Sequence, residues 1–97
     1  MAAIERAIIG EASRPRLARS VMLREDKARG AWRILAPERV FTPDPVAIEV
    51  LRLCDGQRDC AEIARVLALS YEADAGAILA DILPMLQDLA DKGVIEA

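Results

Sequence analysis

The side chains able to do chemistry are few, and the first candidates are two cysteines. Cys54 and Cys60 stand six positions apart in a chain of 97 residues that contains no histidine. A disulfide requires an oxidising compartment, which nothing in the sequence indicates, and a metal site requires at least two further ligands. We therefore interpret both cysteines as reduced thiols and expect no metal and no cofactor.

Catalytic motifs are missing from the sequence as well. Without histidine the chain lacks the usual general base, which excludes Ser-His and Cys-His nucleophiles and His-bound metals. No GxGxxG motif, phosphate-binding P-loop or CxxC pair occurs. The sequence therefore predicts a protein that is not an enzyme.

Charge is distributed unevenly along the chain, although the net charge is only −3. Residues 1–40 contain nine basic and five acidic residues, a net of +4, whereas residues 41–97 contain four basic and eleven acidic residues, a net of −7. A dipolar protein of this kind suits a protein or peptide partner better than a polyanion. We therefore expect no nucleic-acid partner.

The length and hydropathy of the chain indicate one small domain. No apolar run approaches the roughly 20 residues that a membrane span requires, and the N-terminus does not resemble a secretory signal. We expect a cytoplasmic protein without a membrane partner. Residues 1–14 lack helix caps and are predicted to be a flexible arm or linker, with the folded domain at 15–97.

A small antiparallel sheet is predicted in the first half of the chain. Alternating apolar residues predict a strand over 17–23, and a polar loop over 25–30 leads to a return strand over 31–35. A short third strand over 39–42 is followed by Pro43, which favours a position at the sheet edge.

Capping residues predict three helices in the second half. Asp44 followed by Pro45 is typical of a helix start, and Asp59 is the expected cap of a second helix. Ser70 is the expected cap of a long third helix, which Gly93 ends. Pro84 lies inside that helix, where it favours a kinked single helix over two separate ones. A last short strand is predicted at Val94-Ile95.

The long third helix carries an apolar arc that is wider than one packing surface requires. Its central stripe, expected to form the core, consists of Ile78, Ile82, Leu86 and Leu89. Leu79, Leu83 and Ala90 widen this stripe on one side. Leu79 and Leu83 are equally compatible with the core and with a binding groove. The order β-β-β-α-α-α predicts an α+β, winged helix-turn-helix-like fold with a three-stranded antiparallel sheet followed by three helices.

Seven short motifs, in order, resemble the PqqD family of peptide chaperones of pyrroloquinoline quinone (PQQ) biosynthesis. They are Pro15-Arg16-Leu17, Leu23-Arg24-Glu25-Asp26 with Arg29, Leu35-Ala36-Pro37-Glu38, Leu53-Cys54-Asp55-Gly56, Ile63 with Leu67, Asp81-Ile82 with Leu86 and Leu89, and Gly93-Val94-Ile95. Each motif alone is weak, but the seven at these distances are fairly specific. The resemblance covers about residues 15–97.

The resemblance implies a non-catalytic chaperone that binds the precursor peptide PqqA and presents it to PqqE, a radical S-adenosylmethionine enzyme. In this family of leader-peptide recognition domains, the peptide lies as an added strand on the third strand, against the third helix. The peptide-binding residues implied for this sequence are Glu38, Arg39, Val40, Phe41, Thr42, Ile78, Leu79, Ile82, Leu83 and Leu86.

Two alternatives come from other classes of protein. A DNA-binding winged helix needs a basic recognition helix, whereas Arg58 and Arg65 of the second helix are offset by Asp59 and Glu62. The third helix sets Lys92 against acidic residues that include Glu72, Asp74, Asp81 and Asp88, which also disfavours DNA binding. A structural dimerisation module, formed through exposed strand edges, stays open as the second alternative.

Overall fold

The computed structural model of the protein describes residues 8–37, the backbone of 39–41, and residues 44–97. The elements, in chain order, are β1 Arg16–Leu17, β2 Met22–Asp26, β3 Ala31–Ala36, β4 Arg39–Phe41, α1 Pro45–Leu53, α2 Cys60–Tyr71, α3 Ala75–Asp91 and β5 Ile95–Glu96. The predicted α+β class, with a three-stranded antiparallel sheet before three helices, is confirmed. A second sheet of two strands, β1 and β5, is added to it.

The three-stranded sheet has the order β2-β3-β4, so β4 lies at one edge and β2 at the other. Leu23 pairs with Ile34, and Ile34 pairs in turn with the backbone of Phe41. Ile34 is buried, because alternate residues of β3 point towards the helices. The helix side of the sheet also carries Trp32, whose ring lies 5.2 Å from the Arg52 guanidinium of α1.

The single strand predicted over 17–23 is wrong, since the structure divides this stretch between two sheets. Leu17 pairs with Ile95 of β5, and the Ala18 N–H donates to the Val94 carbonyl at 2.9 Å. A turn closed by the Val21 N–H and the Ala18 carbonyl then redirects the chain into β2. Arg19 lies inside this turn and interrupts the apolar alternation of Leu17, Val21 and Leu23, so it is the one sign of the break in the sequence.

The loop predicted over 25–30 is shorter in the structure. Glu25 and Asp26 belong to β2, where they pair with Trp32 and Ala31. The Asp26 carbonyl then accepts the Arg29 N–H, which closes a tight turn. Cross-strand pairing thus extends the hairpin past the point at which the sequence becomes polar.

Capping explains where the helices begin, and one predicted cap is wrong. Asp44 accepts the Ala47 N–H at 2.8 Å, and Asp59 accepts the Glu62 N–H at 2.8 Å, as predicted for α1 and α2. Ser70 lies inside α2 rather than at the start of α3. Asp74 caps α3 instead, by accepting the Ala77 N–H at 2.9 Å.

The third helix starts at Ala75, because Glu72 adopts a left-handed conformation (φ 50°) that ends α2. It then runs without interruption through Pro84 to Asp91, so the prediction of one helix is confirmed. Gly93 has φ 78° and stops the helix before β5. α3 packs against α2 and β5.

The N-terminal segment, residues 8–14, packs on the domain, and the predicted flexible arm is wrong at these positions. Ile9 is buried, and its N–H donates to Gln87 Oε1 at 2.9 Å. The Glu11 carbonyl accepts the Ala61 N–H, and the Ser13 carbonyl accepts the Cys60 N–H. Both donors lie in the first turn of α2 and have no partner inside that helix. Residues 1–7, the rest of the predicted arm, lie outside the described residues.

Candidate functional site

The backbone of β4 forms one of the two edges of the three-stranded sheet, and it is the edge at which the sequence analysis expects an added strand. Among the described strands, β4 pairs with β3 on one side and has no strand on the other. Its outer N–H and C=O groups are therefore available to an extended peptide. Of the predicted binding residues, Arg39, Val40 and Phe41 form this strand, while Glu38 and Thr42 lie outside the described residues.

The predicted residues of α3 differ strongly in exposure. Ile82 is 3% exposed and Leu86 is 0% exposed, so both belong to the core. Ile78, Leu79 and Leu83 are half-buried and pack against the margin of that core. Among the predicted binding residues of α3, these three side chains are therefore the ones with accessible apolar surface.

An apolar recess of about 190 Å³ lies between α1, the end of α2 and the first half of α3. It is lined by Val46, Leu67, Tyr71, Ala73, Ile78, Asp81 and Ile82. Val46 is 52% exposed, although it is apolar. Its position five residues after Phe41 limits the separation of the two Cα atoms to about 17 Å. The recess thus opens close to the place where the edge strand leads into α1.

Two of the predicted site residues, Ile78 and Ile82, line this recess, and Leu79, Leu83 and Leu86 do not. Helix geometry explains the division, because Ile78 and Leu83 lie about 140° apart around the axis. Leu83 instead shares a face with Gln87, one turn further on, which accepts the Ile9 N–H. The predicted flank of α3 is therefore the one beside the N-terminal segment, and the recess lies on the opposite flank.

Val46, Tyr71 and Ala73 are lining residues that the sequence pattern missed. The Tyr71 hydroxyl donates a hydrogen bond to the Glu49 carboxylate, which joins α2 to α1 at the recess wall. This hydrogen bond raises the pKa of Tyr71, since loss of the proton would place two negative charges together. The exposure of Val46 is visible only in the structure, so the sequence offered no signal for these three residues.

The two cysteines lie in the core and are free. Burial, with smaller contributions from Cys60 and Asp55, raises the pKa of Cys54 to about 12. Burial and the nearby Asp59 charge also raise the pKa of Cys60. Both groups are therefore thiols rather than thiolates near neutral pH, which is the unreactive form.

The part of the chain that the structure describes contains neither a cluster of metal ligands nor a helix suited to a bilayer. Those residues include no cluster of three or more Cys, Asp or Glu side chains arranged to hold a metal ion. Among the same residues, none of the helices combines the length and the apolar character needed to cross a bilayer.

The fold and the site together define a class of protein: a small α+β domain with an open strand edge and an apolar recess between its helices. A family model, coenzyme PQQ synthesis protein D (PqqD), matches residues 31–95. A PqqA binding protein of Rhodopseudomonas palustris (strain HaA2) is 55% identical over 87 residues, which are 90% of this chain and 85% of that protein. The chain therefore belongs to the PqqD family, as its sequence motifs predicted.

Solved structures agree with this assignment. The solution NMR structure of the PqqD truncation of Methylobacterium extorquens PqqCD matches with a TM-score of 0.80 and 46% identity, over 92% of this chain and 95% of that one. That truncation is described as a functional, stand-alone recognition element for ribosomally synthesised and post-translationally modified peptides. The crystal structure of PqqD from Xanthomonas campestris matches with a TM-score of 0.54 and 39% identity, over 87% of this chain and 93% of that one.

Proposed function

We propose that this protein is a non-catalytic peptide chaperone that binds the precursor peptide PqqA and presents it to the radical S-adenosylmethionine enzyme PqqE. The observation that carries the proposal is the open edge of β4, followed along the chain by the apolar recess. Membership of the PqqD family and the name of the R. palustris relative supply the identity of the peptide.

Binding begins with backbone hydrogen bonds between an extended peptide and the outer edge of β4. These bonds hold the peptide in register, but they are common to all sequences. Since β4 has only three residues, the edge is too short to support extended pairing with unrelated strands. Selectivity must therefore come from side-chain contacts next to the strand.

The apolar recess provides the side-chain contact. One aliphatic or aromatic peptide side chain placed against Val46, Ile78 and Ile82 would contribute roughly 1.5–3 kcal/mol by leaving water. Asp81 is exposed at the rim, where its carboxylate favours a peptide with a basic residue close to the buried one. The recess thus selects for an apolar residue with a cationic neighbour.

The balance of free energies suits a carrier that must release its cargo. Ordering a disordered peptide costs about 2–5 kcal/mol, which offsets much of the gain from one or two buried side chains. The resulting complex is specific but reversible, so the peptide can pass to the enzyme. The protein's role is to hold and present the peptide, while PqqE performs the chemistry.

The test is a titration of isotopically labelled protein with PqqA, followed by amide and methyl NMR shifts. We expect the amides of 39–41 and the methyl groups of Val46, Ile78 and Ile82 to shift together at one saturable affinity. A scrambled PqqA peptide of the same composition is the control and should leave these signals in place. Saturable binding of PqqA that shifts neither β4 nor the recess would refute the site, and absence of binding would refute the function.

A further inference from the structure

The outer face of the β2–β3 hairpin carries an arrangement that stability alone does not explain. Arg24 and Arg33 are direct cross-strand partners on the side of the sheet that faces away from the helices. Side chains paired in this way are neighbours at about 5 Å between Cβ atoms, and like charges there are destabilising. The fold therefore accepts a repulsion that a neutral residue at either position would remove.

The repulsion is only partly offset inside the chain. Asp26 Oδ2 lies 3.6 Å from Arg33 Nε and 4.0 Å from Arg29 Nε, so one carboxylate serves two arginines. Arg33 Nε is nevertheless shielded from solvent without a hydrogen-bond acceptor. Arg24 and Lys27 form no ion pair with any residue that the structure describes. The hairpin thus retains unneutralised positive charge.

Apolar side chains border this charge. Met22 pairs with Leu35 on the same face and is 54% exposed. Leu35 also lines an open hollow with four basic residues (Arg24, Lys27, Arg29 and Arg33) and two acidic ones (Glu25 and Asp26), which leaves a net of two positive charges. A surface that combines exposed apolar area with arginine is typical of protein interfaces. A nucleic-acid backbone would use the cations and leave the apolar area in water.

The basic hairpin face is defined by Met22, Arg24, Lys27, Arg33 and Leu35. Its apolar end reaches β4, because Leu35 pairs with Val40, whereas Arg24 and Arg33 lie on the two-stranded half of the hairpin beyond β4. A partner held by the two arginines therefore leaves the β4 edge open to an added peptide.

We infer that the basic hairpin face is a docking surface for an acidic patch of a partner protein, the enzyme that receives the bound peptide. Asp or Glu carboxylates from that protein would bridge the Arg24 guanidinium and the solvent-accessible part of the Arg33 side chain, which is 33% exposed. The choice of the enzyme as occupant rests on the proposed function, since presenting a peptide requires a second, independent contact.

The experiment compares three full-length variants for binding to PqqE and, separately, to PqqA. Arg24→Glu, whose side chain has no described partner to lose, and Arg24→Glu/Arg33→Glu should weaken PqqE binding by about tenfold or more. Arg65→Glu, an equally exposed reversal on α2, is the matched control and should leave PqqE binding within about twofold. PqqA affinity should be unchanged in all three. Binding of the wild-type protein to PqqE should also weaken as salt is raised.

Two results would overturn the inference while leaving the peptide-binding proposal intact. One is unchanged PqqE affinity in the folded Arg24→Glu variant, with PqqA still bound. The other is an equal loss in the Arg65→Glu control, which would indicate a response to overall charge rather than to this face. Failure of the wild-type protein to bind PqqA, by contrast, would contradict the proposed function itself.

Discussion

The two flanks of α3 carry similar aliphatic side chains and meet different surroundings. The flank with Ile78 lines an apolar recess with α1 and the end of α2. The flank with Leu83 and Gln87 lies beside the N-terminal segment, through the hydrogen bond between Gln87 and Ile9. The comparison shows that the two margins of a wide apolar helix face can differ in their surroundings. One margin borders an open recess, and the other lies beside another segment of the same chain.

The largest expected effect comes from the residue between the two flanks. Leu86 is fully buried, so Leu86→Ala should lower the free energy of unfolding by about 2–5 kcal/mol. Chemical denaturation measures this change. Leu69→Ala is the control, because Leu69 is 83% exposed and its truncation should change stability by about 0.5 kcal/mol or less. A small effect at Leu86 would mean that the flanks do not share one core.

A matched pair of truncations tests the comparison directly. Ile78→Ala should weaken PqqA binding by about 1–2 kcal/mol, or roughly 5- to 30-fold, because it removes part of the recess wall. Leu83→Ala removes a similar half-buried side chain from the other flank and should leave PqqA affinity within about twofold. Isothermal titration calorimetry gives both affinities, and thermal unfolding confirms that both variants are folded.

The opposite outcome is equally informative. If Leu83→Ala weakens binding and Ile78→Ala does not, the peptide uses the flank that the sequence analysis chose. The N-terminal segment would then have to share or vacate that side of α3. Faster amide exchange at Ile9 on adding PqqA would accompany that displacement.

Element order and most caps were predictable because they depend on local chemistry. Asp44, Asp59 and Gly93 act through atoms within a few residues of themselves, and the family motifs located the domain. The apolar stripe identified Ile82 and Leu86 as core, since periodicity reports burial. Periodicity does not show, however, what covers each margin of a stripe, so it assigned Ile78 to the core stripe and left Leu83 open between the core and a groove.

The remaining differences arise from contacts between distant parts of the chain. The Ala18 N–H bond to Val94 divides the predicted first strand, and its partner is 76 positions away. The ordering of residues 8–14 depends on unpaired N–H groups at the start of α2, which have no signature in the segment itself. Tyr71 is held at the recess wall by its hydrogen bond to Glu49 of another helix, and the sequence pattern around neither residue predicts this pair.

The smallest expected effect concerns that Tyr71–Glu49 contact, which holds one wall of the recess. The hydrogen bond to Glu49 raises the pKa of Tyr71 in the folded protein above its unfolded value. Its contribution to stability is therefore fully present below the unfolded pKa of about 10 and is lost as pH rises through the folded pKa. Relative to Tyr71→Phe, the wild-type protein should lose stability over that alkaline range.

An absorbance titration isolates this effect, because Tyr71 is the single tyrosine of the chain. Glu49→Gln removes the negative charge that opposes ionisation, so the Tyr71 pKa should fall towards its ordinary value. Arg24→Gln, a loss of charge on the outer face of the β2–β3 hairpin, serves as the control. If PqqA occupies the recess, adding it should shift the Tyr71 titration of the wild-type protein. If PqqA binds elsewhere, the titration should not change. An identical Tyr71 titration in the wild-type and Glu49→Gln proteins would show that the wall is not fixed by this hydrogen bond, and that the recess owes its shape to apolar packing alone.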